Sequence, residues 1–167
     1  MKVLVVSDNH GQTDVLQQLK ARHQDEVEHF VHCGDSELPS DSAAMEGFYA
    51  VRGNCDFDSG YPQQLIKEVA NNRLFIAHGH LHQVKSSLMP IKYAAEEEEA
   101  NIVCFGHSHI AGAEYTGGIL FVNPGSISLP RMTRDKTYAI IEETNLDFFV
   151  HYYNEKGERL SSHTFNK

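Results

Sequence analysis

Lys2-Val3-Leu4-Val5-Val6-Ser7-Asp8-Asn9-His10-Gly11 opens on a nearly continuous apolar run and closes on a polar turn holding two metal-ligand types. Apolar residues at consecutive positions suit a strand with no solvent face, buried on both sides. Ser7 to Gly11 ends that strand, and Thr13 or Asp14 can cap a helix carrying Val15, Leu16 and Leu19 on one side. A second short apolar run, His29 to Cys33, stops at Gly34-Asp35. The opening third therefore reads strand, helix, strand, a β-α-β unit with parallel strands.

The same pattern continues outward. Glu37 to Gly47 suits a loop with a short helix, and Phe48 to Val51 is a third strand ending at Arg52-Gly53-Asn54-Cys55-Asp56. Leu65 to Val69 and Arg73 to Ala77 suggest a hairpin about Asn71-Asn72, with His78-Gly79-His80 directly after it. Ser87 to Ala100 has helical spacing, with Pro90 tolerable in the first turn and Glu96 to Glu99 as a solvated face. Ile102 to Phe105 is a strand stopping at Gly106-His107-Ser108-His109, and Gly118 to Val122 stops at Asn123-Pro124-Gly125-Ser126. Tyr138 to Glu142, Phe148 to Tyr153 and Arg159 to Phe165 alternate as antiparallel strands do.

The length of 167 residues suits a single domain, residues 1–167, and 41% hydrophobic with 22% charged residues is the composition of a globular protein. A net charge of −9 argues against a partner such as extended nucleic acid, whose binding needs clustered Lys and Arg. The N-terminal apolar run is too short for a signal peptide or a membrane span. Three cysteines without a C-x-x-C pair suit reduced thiols, so a cytoplasmic location is expected.

Metal-ligand residue types recur at the carboxyl ends of successive apolar runs: Asp8 and His10, Asp35, Asn54, His78, then His107 and His109. In an α/β sheet those ends share one edge, where functional groups collect. Singly, each motif has a plainer meaning: a helix cap at Asp8-Asn9-His10, turns at Gly34-Asp35 and Gly53-Asn54, a core histidine at His78. Jointly, carboxylate, imidazole and amide oxygen suit Mn²⁺, Fe²⁺, Zn²⁺, Ni²⁺ or Co²⁺, and seven ligands exceed the need of one ion.

Ser7-Asp8-Asn9-His10, Cys33-Gly34-Asp35, Gly53-Asn54-Cys55-Asp56, His78-Gly79-His80 and Gly106-His107-Ser108-His109 together resemble the calcineurin-like metallophosphoesterase family. The small size and Asn123-Pro124-Gly125-Ser126 are similar to its compact, YfcE-like bacterial and archaeal phosphodiesterase branch. The resemblance implies a four-layer α/β/β/α sandwich with the site at one edge. It also implies that Asp8, His10 and His109 hold one divalent ion, that Asn54, His78 and His107 hold a second, and that Asp35 bridges them. Mn²⁺ is the first expectation, and the implied reaction is in-line attack on a small phosphoester substrate, most simply a diester, by metal-bound hydroxide.

One departure bears on substrate. Many family members place His after the ligand Asn, where it protonates the leaving oxygen, whereas here Cys55 stands there. A thiol is a poorer proton donor near neutral pH than an imidazole, which leaves His80 as the alternative donor. The rival activities are a nuclease or nucleotide phosphatase using the same centre. From another class, the rival is a metal-stabilised protein-binding module, and association into a homo-oligomer stays open.

Overall fold

The computed structural model describes residues 1–167. In chain order the elements are β1 (Lys2–Val6), α1 (Thr13–His23), β2 (His29–His32), β3 (Phe48–Ala50), β4 (Gln64–Val69), β5 (Asn72–Ala77), α2 (Met89–Glu97), β6 (Ile102–Cys104), β7 (Gly112–Thr116), β8 (Ile119–Asn123), β9 (Thr137–Glu143), β10 (Asp147–Asn154) and β11 (Arg159–Asn166). A single 3-10 turn spans His80–His82 between β5 and α2.

Two mixed sheets form. The first runs β11-β10-β9-β1-β2-β3, and the second runs β4-β5-β6-β8-β7. β1 pairs in parallel with β2 across α1, with Val5 opposite Val31, as the β-α-β reading requires. On its other side β1 pairs antiparallel with β9.

The consecutive apolar residues of β1 divide between two cores. Val3 and Val5 face the space between the sheets with Ile76, Cys104, Val122 and Val150. Leu4 and Val6 face the opposite way, onto Leu16 and Leu19 of α1. Residues of β6 and β8 divide in the same manner, Ile102 and Leu120 inward, Val103 and Phe121 outward onto Ile91 and Ala95 of α2. Helix, sheet, sheet and helix are thus four layers, and the sequence pattern follows because neither sheet has a free face at its centre. Leu16 and Leu19 are fully buried, each burial stabilising by about 1.5–3 kcal/mol.

Four local expectations change. Residues 37–47 form turns rather than a short helix, with Met45 N–H donating to the Ser42 carbonyl at 2.9 Å. The β4–β5 turn is Ala70-Asn71 instead of Asn71-Asn72, because Asn72 is buried within β5 and holds Glu143 Oε2 at 2.5 Å. Helix α2 is shorter at both ends than Ser87 to Ala100, stopping before Glu99, whose φ is +54°. Strand β7 was hidden by its polar composition; it is an edge strand joined to β8 by Gly117-Gly118, with φ of +61° and +79°. A turn with both central residues at positive φ needs such glycines, and that pair before an apolar run was the available signal.

Candidate metal centre

Every expected ligand position lies in a turn at the carboxyl end of a strand, after β1, β2 and β3 of the first sheet and after β5 and β6 of the second. Five of these residues adopt left-handed backbone: Asp8 (φ 57°), His10 (44°), Asp35 (53°), His107 (67°) and His109 (61°). Such conformations cost roughly 1–3 kcal/mol each and persist where surroundings hold them. The Asp8 carbonyl accepts hydrogen bonds from the hydroxyls of both Ser126 (2.8 Å) and Ser128 (2.7 Å), while Asp8 N–H donates to the Gly34 carbonyl (3.0 Å). His10 N–H donates to the Asp35 carbonyl at 3.1 Å, tying the first two turns together.

The Asp8 carboxylate is fully buried, and its two oxygens differ. Oδ2 accepts from Ser7 Oγ at 2.5 Å and from His107 N–H at 3.2 Å. Oδ1 has no hydrogen bond, although Nε2 of His109 stands at 3.1 Å and Nε2 of His10 and of His78 each at 3.9 Å. His109 Nδ1 donates to the Leu129 carbonyl and His78 Nδ1 to the Cys33 carbonyl, both at 2.7 Å. In a neutral ring whose proton sits on Nδ1, Nε2 carries a lone pair. A buried carboxylate oxygen therefore faces lone pairs, an arrangement that requires positive charge between the groups and matches the hydrogen bonding of metal-ligating histidines.

Asp35, also buried, extends the cluster. Its Oδ1 accepts from Cys55 N–H at 2.8 Å and its Oδ2 lies 3.3 Å from His78 Nε2. Asn54 Oδ1 is 3.1 Å from that same nitrogen, and His10 Nε2 is 3.5 Å from His109 Nε2. Ligand atoms of Asp8, His10 and His109 lie within 4.8 Å of one another, as do those of Asp8, Asp35 and His78 and those of His10, Asp35 and Cys55. The His107 ring stands 5.0 Å from His78 and 6.1 Å from His80, and His80 is 5.3 Å from His78. Imidazole nitrogen with carboxylate and amide oxygen is a donor set suited to divalent transition ions.

The charges are coupled. Burial pushes both Asp8 and Asp35 up, but His109 and His78 outweigh it and hold both carboxyls below the ordinary range. Burial pulls His78 down, yet Asp35 and Asp8 leave it raised; His109 is raised chiefly by Asp8. Burial, with His78 adding repulsion, lowers His107 to about 4 and lowers His80. The Cys55 thiol rises to about 11 through burial and the neighbouring Asp35, so it stays protonated and is a weak acid.

Raised imidazoles give a pH prediction for chelator-treated protein. Their stabilisation is complete below the unfolded histidine value near 6.5 and is lost as pH rises through the higher folded values of His78 and His109. Thermal midpoints in chelator should fall as pH rises above about 6.5, and excess Mn²⁺ should remove that fall by supplying the charge the protons leave. A flat chelator profile would contradict the coupling.

Several supporting groups are not legible from spacing. Asp56 directly follows Cys55 and is buried; Oδ2 accepts from the N–H groups of Asp35 (2.9 Å) and Gly53 (2.7 Å), and Oδ1 from that of Glu37 (2.7 Å). It joins the Asp35 turn to the Asn54 loop. His32, fully buried and lowered to about 4, accepts from Gly34 N–H at Nδ1 and donates from Nε2 to Asn9 Oδ1 at 2.8 Å. Asn9 is thereby held inward, with its Nδ2 donating to the Gln12 carbonyl at 2.9 Å. Arg52 is likewise occupied, with Nε donating to the Asp56 carbonyl at 3.2 Å. Asn123 Nδ2 holds the Gly106 carbonyl and Ser108 Oγ, each at 3.0 Å, fixing the His107–His109 turn.

Known proteins share this arrangement of strands and turns. The probable metallophosphoesterase YsnB of Bacillus subtilis is 43% identical over 160 residues, spanning 96% of this chain and 95% of its own. A crystal structure from Streptococcus pneumoniae TIGR4, described as a predicted phosphoesterase, is 37% identical and superposes with a TM-score of 0.96 over 99% of this chain and 97% of that one. Vacuolar Protein Sorting 29 from Cryptosporidium parvum superposes at 0.79 over 99% and 98% with 16% identity, a likeness of fold alone. The calcineurin-like phosphoesterase superfamily domain matches residues 1–146, and this chain belongs to that family.

Proposed function

We propose that residues 1–167 act as one catalytic domain hydrolysing phosphate diesters at a centre for two divalent ions. Asp8, His10 and His109 would hold one ion, Asn54, His78 and His107 the other, with Asp35 shared. The observation that carries this reading is the buried Asp8 Oδ1, without a hydrogen bond and faced by three imidazole nitrogens. Mn²⁺ is the first cofactor expected, with Ni²⁺, Fe²⁺, Co²⁺ and Zn²⁺ as alternatives. Bound there, such ions supply hydroxide near neutral pH and offset phosphoryl charge.

The chain's own residues then set the substrate. Cys55, pushed up to about 11, is a weak proton donor at neutral pH, and burial lowers His80 below the ordinary imidazole value. His80 is the side chain beside the cluster that would protonate a leaving oxygen, and it does so only through its minority charged form. Turnover should therefore depend steeply on the leaving group, with aryl diesters well ahead of alkyl esters. Rates across a series of substituted phenyl methyl phosphates check this, and a flat dependence would contradict it.

The test of the function is reconstitution. With Mn²⁺ in large excess the protein should hydrolyse bis(p-nitrophenyl) phosphate, lose that activity in chelator, and lose most of it on His107→Ala. An ion at about 1,000 times its Kd stabilises by about 4 kcal/mol, which for a chain of this size raises Tm by roughly 8–16 °C. Metal-dependent stabilisation without turnover of any ester would favour the protein-binding module instead. No helix is long and apolar enough to cross a membrane, and free Cys33, Cys55 and Cys104 support a reducing, cytoplasmic setting.

A further inference from the structure

A concavity of about 460 Å³ opens beside the His107–His109 turn, and Ser108 of that turn forms part of its wall. We propose that it receives one arm of the diester, and that this arm is an aryl-sized apolar group bearing its own negative charge; the inference rests on the phosphodiesterase reading above.

The walls explain both halves of that description. Leu88, Phe105 and Ile110 give an apolar lining, Phe105 nearly buried and Ile110 44% exposed. The volume is that of a site for a small organic group. Asn123 holds Ser108 Oγ at 3.0 Å, and Arg131 N–H donates to the His109 carbonyl at 3.0 Å, so the wall is fixed to the same turn that carries the candidate ligands. An arm in the cavity would thus lie against the turn that carries His107 and His109, whose rings feel the charges of Lys85 and Arg131 respectively.

Charge selects the rest. The side chains of Lys85 and Arg131 line the cavity without an ion-pair partner, and Glu114 is its single carboxylate. In a chain of net charge −9, a lining with more cation than anion is a local reversal that favours an anionic substituent. A neutral apolar arm would leave both cations unused.

Calorimetry of the Mn²⁺-loaded protein separates the contributions, using methylphosphonate, phenylphosphonate and 4-carboxyphenylphosphonate. The phenyl group should tighten Kd about tenfold over methyl, and the carboxylate a further threefold or so. The surface double variant Lys85→Ala/Arg131→Ala should lose only the carboxylate gain, and Leu88→Asp the phenyl gain, with methylphosphonate unchanged in both. Equal Kd for the three ligands, with bis(p-nitrophenyl) phosphate still hydrolysed, overturns the subsite alone. Absence of that hydrolysis overturns the phosphodiesterase reading as well.

Discussion

Asp35→Asn should lower Mn²⁺-dependent hydrolysis of bis(p-nitrophenyl) phosphate on the order of 10³-fold while leaving the far-UV circular dichroism unchanged. The backbone argument makes the substitution informative. Asp35 has φ of +53°, a conformation that Asn tolerates nearly as well, and its N–H bond to Asp56 does not involve the side chain. The chemistry changes completely. The carboxylate presents one oxygen to Cys55 N–H and the other toward His78 Nε2. An amide that keeps its oxygen on Cys55 N–H turns an NH₂ toward His78, replacing an acceptor by a donor, and would remove one negative charge from between the two proposed cations. A variant that keeps more than about a tenth of the wild-type rate would remove Asp35 from the shared position.

The legibility of the molecule divides along physical lines. Both faces of β1 and β6 are covered, so their residues had to be apolar without alternation, and the β-α-β opening could be read from Lys2 to Asp35 directly. At the site, chemistry-bearing residues at strand ends were visible because the chain returns to one edge after each parallel strand. Tertiary partners were not visible. The hydrogen bonds from Ser126 and Ser128 to the Asp8 carbonyl span more than a hundred residues of sequence, and nothing local marks a serine for that task. Asp56 hides for the opposite reason. It sits beside two site candidates, where an acidic residue reads as part of an ordinary Gly-Asn turn, and only the folded geometry shows it gathering three backbone N–H groups. Strand β7 lies at a sheet edge with exposed alternate residues, so tertiary pairing with β8 overrides a composition poor in strand formers.

The same convergence predicts that one methyl group suffices to undo the site. A Cβ added at Gly53 would stand 2.0 Å from Asp35 Oδ1 and 2.4 Å from Asp35 N, where real Cβ contacts essentially never fall below 3.0 Å. The obstacle includes backbone, so a rotamer change cannot relieve it. Asp56 Oδ2 binds Asp35 N–H and Gly53 N–H together, and separating the two strand-end turns strains both bonds at once. Gly53→Ala should cost about 3 kcal/mol or more, seen as a fall in Tm of roughly 6–12 °C for a chain of this length. Turnover should fall further than stability explains, because the displaced Asp35 carboxylate and the adjoining Asn54 would carry their proposed ligand atoms away from His78. Gly112→Ala is the matched control: nothing lies within 4 Å of its Cβ, and its effect should stay within about 0.5 kcal/mol. Equal thermal midpoints for the two variants would mean that the Asp35 and Gly53 turns are not packed as tightly as their shared bonds to Asp56 require.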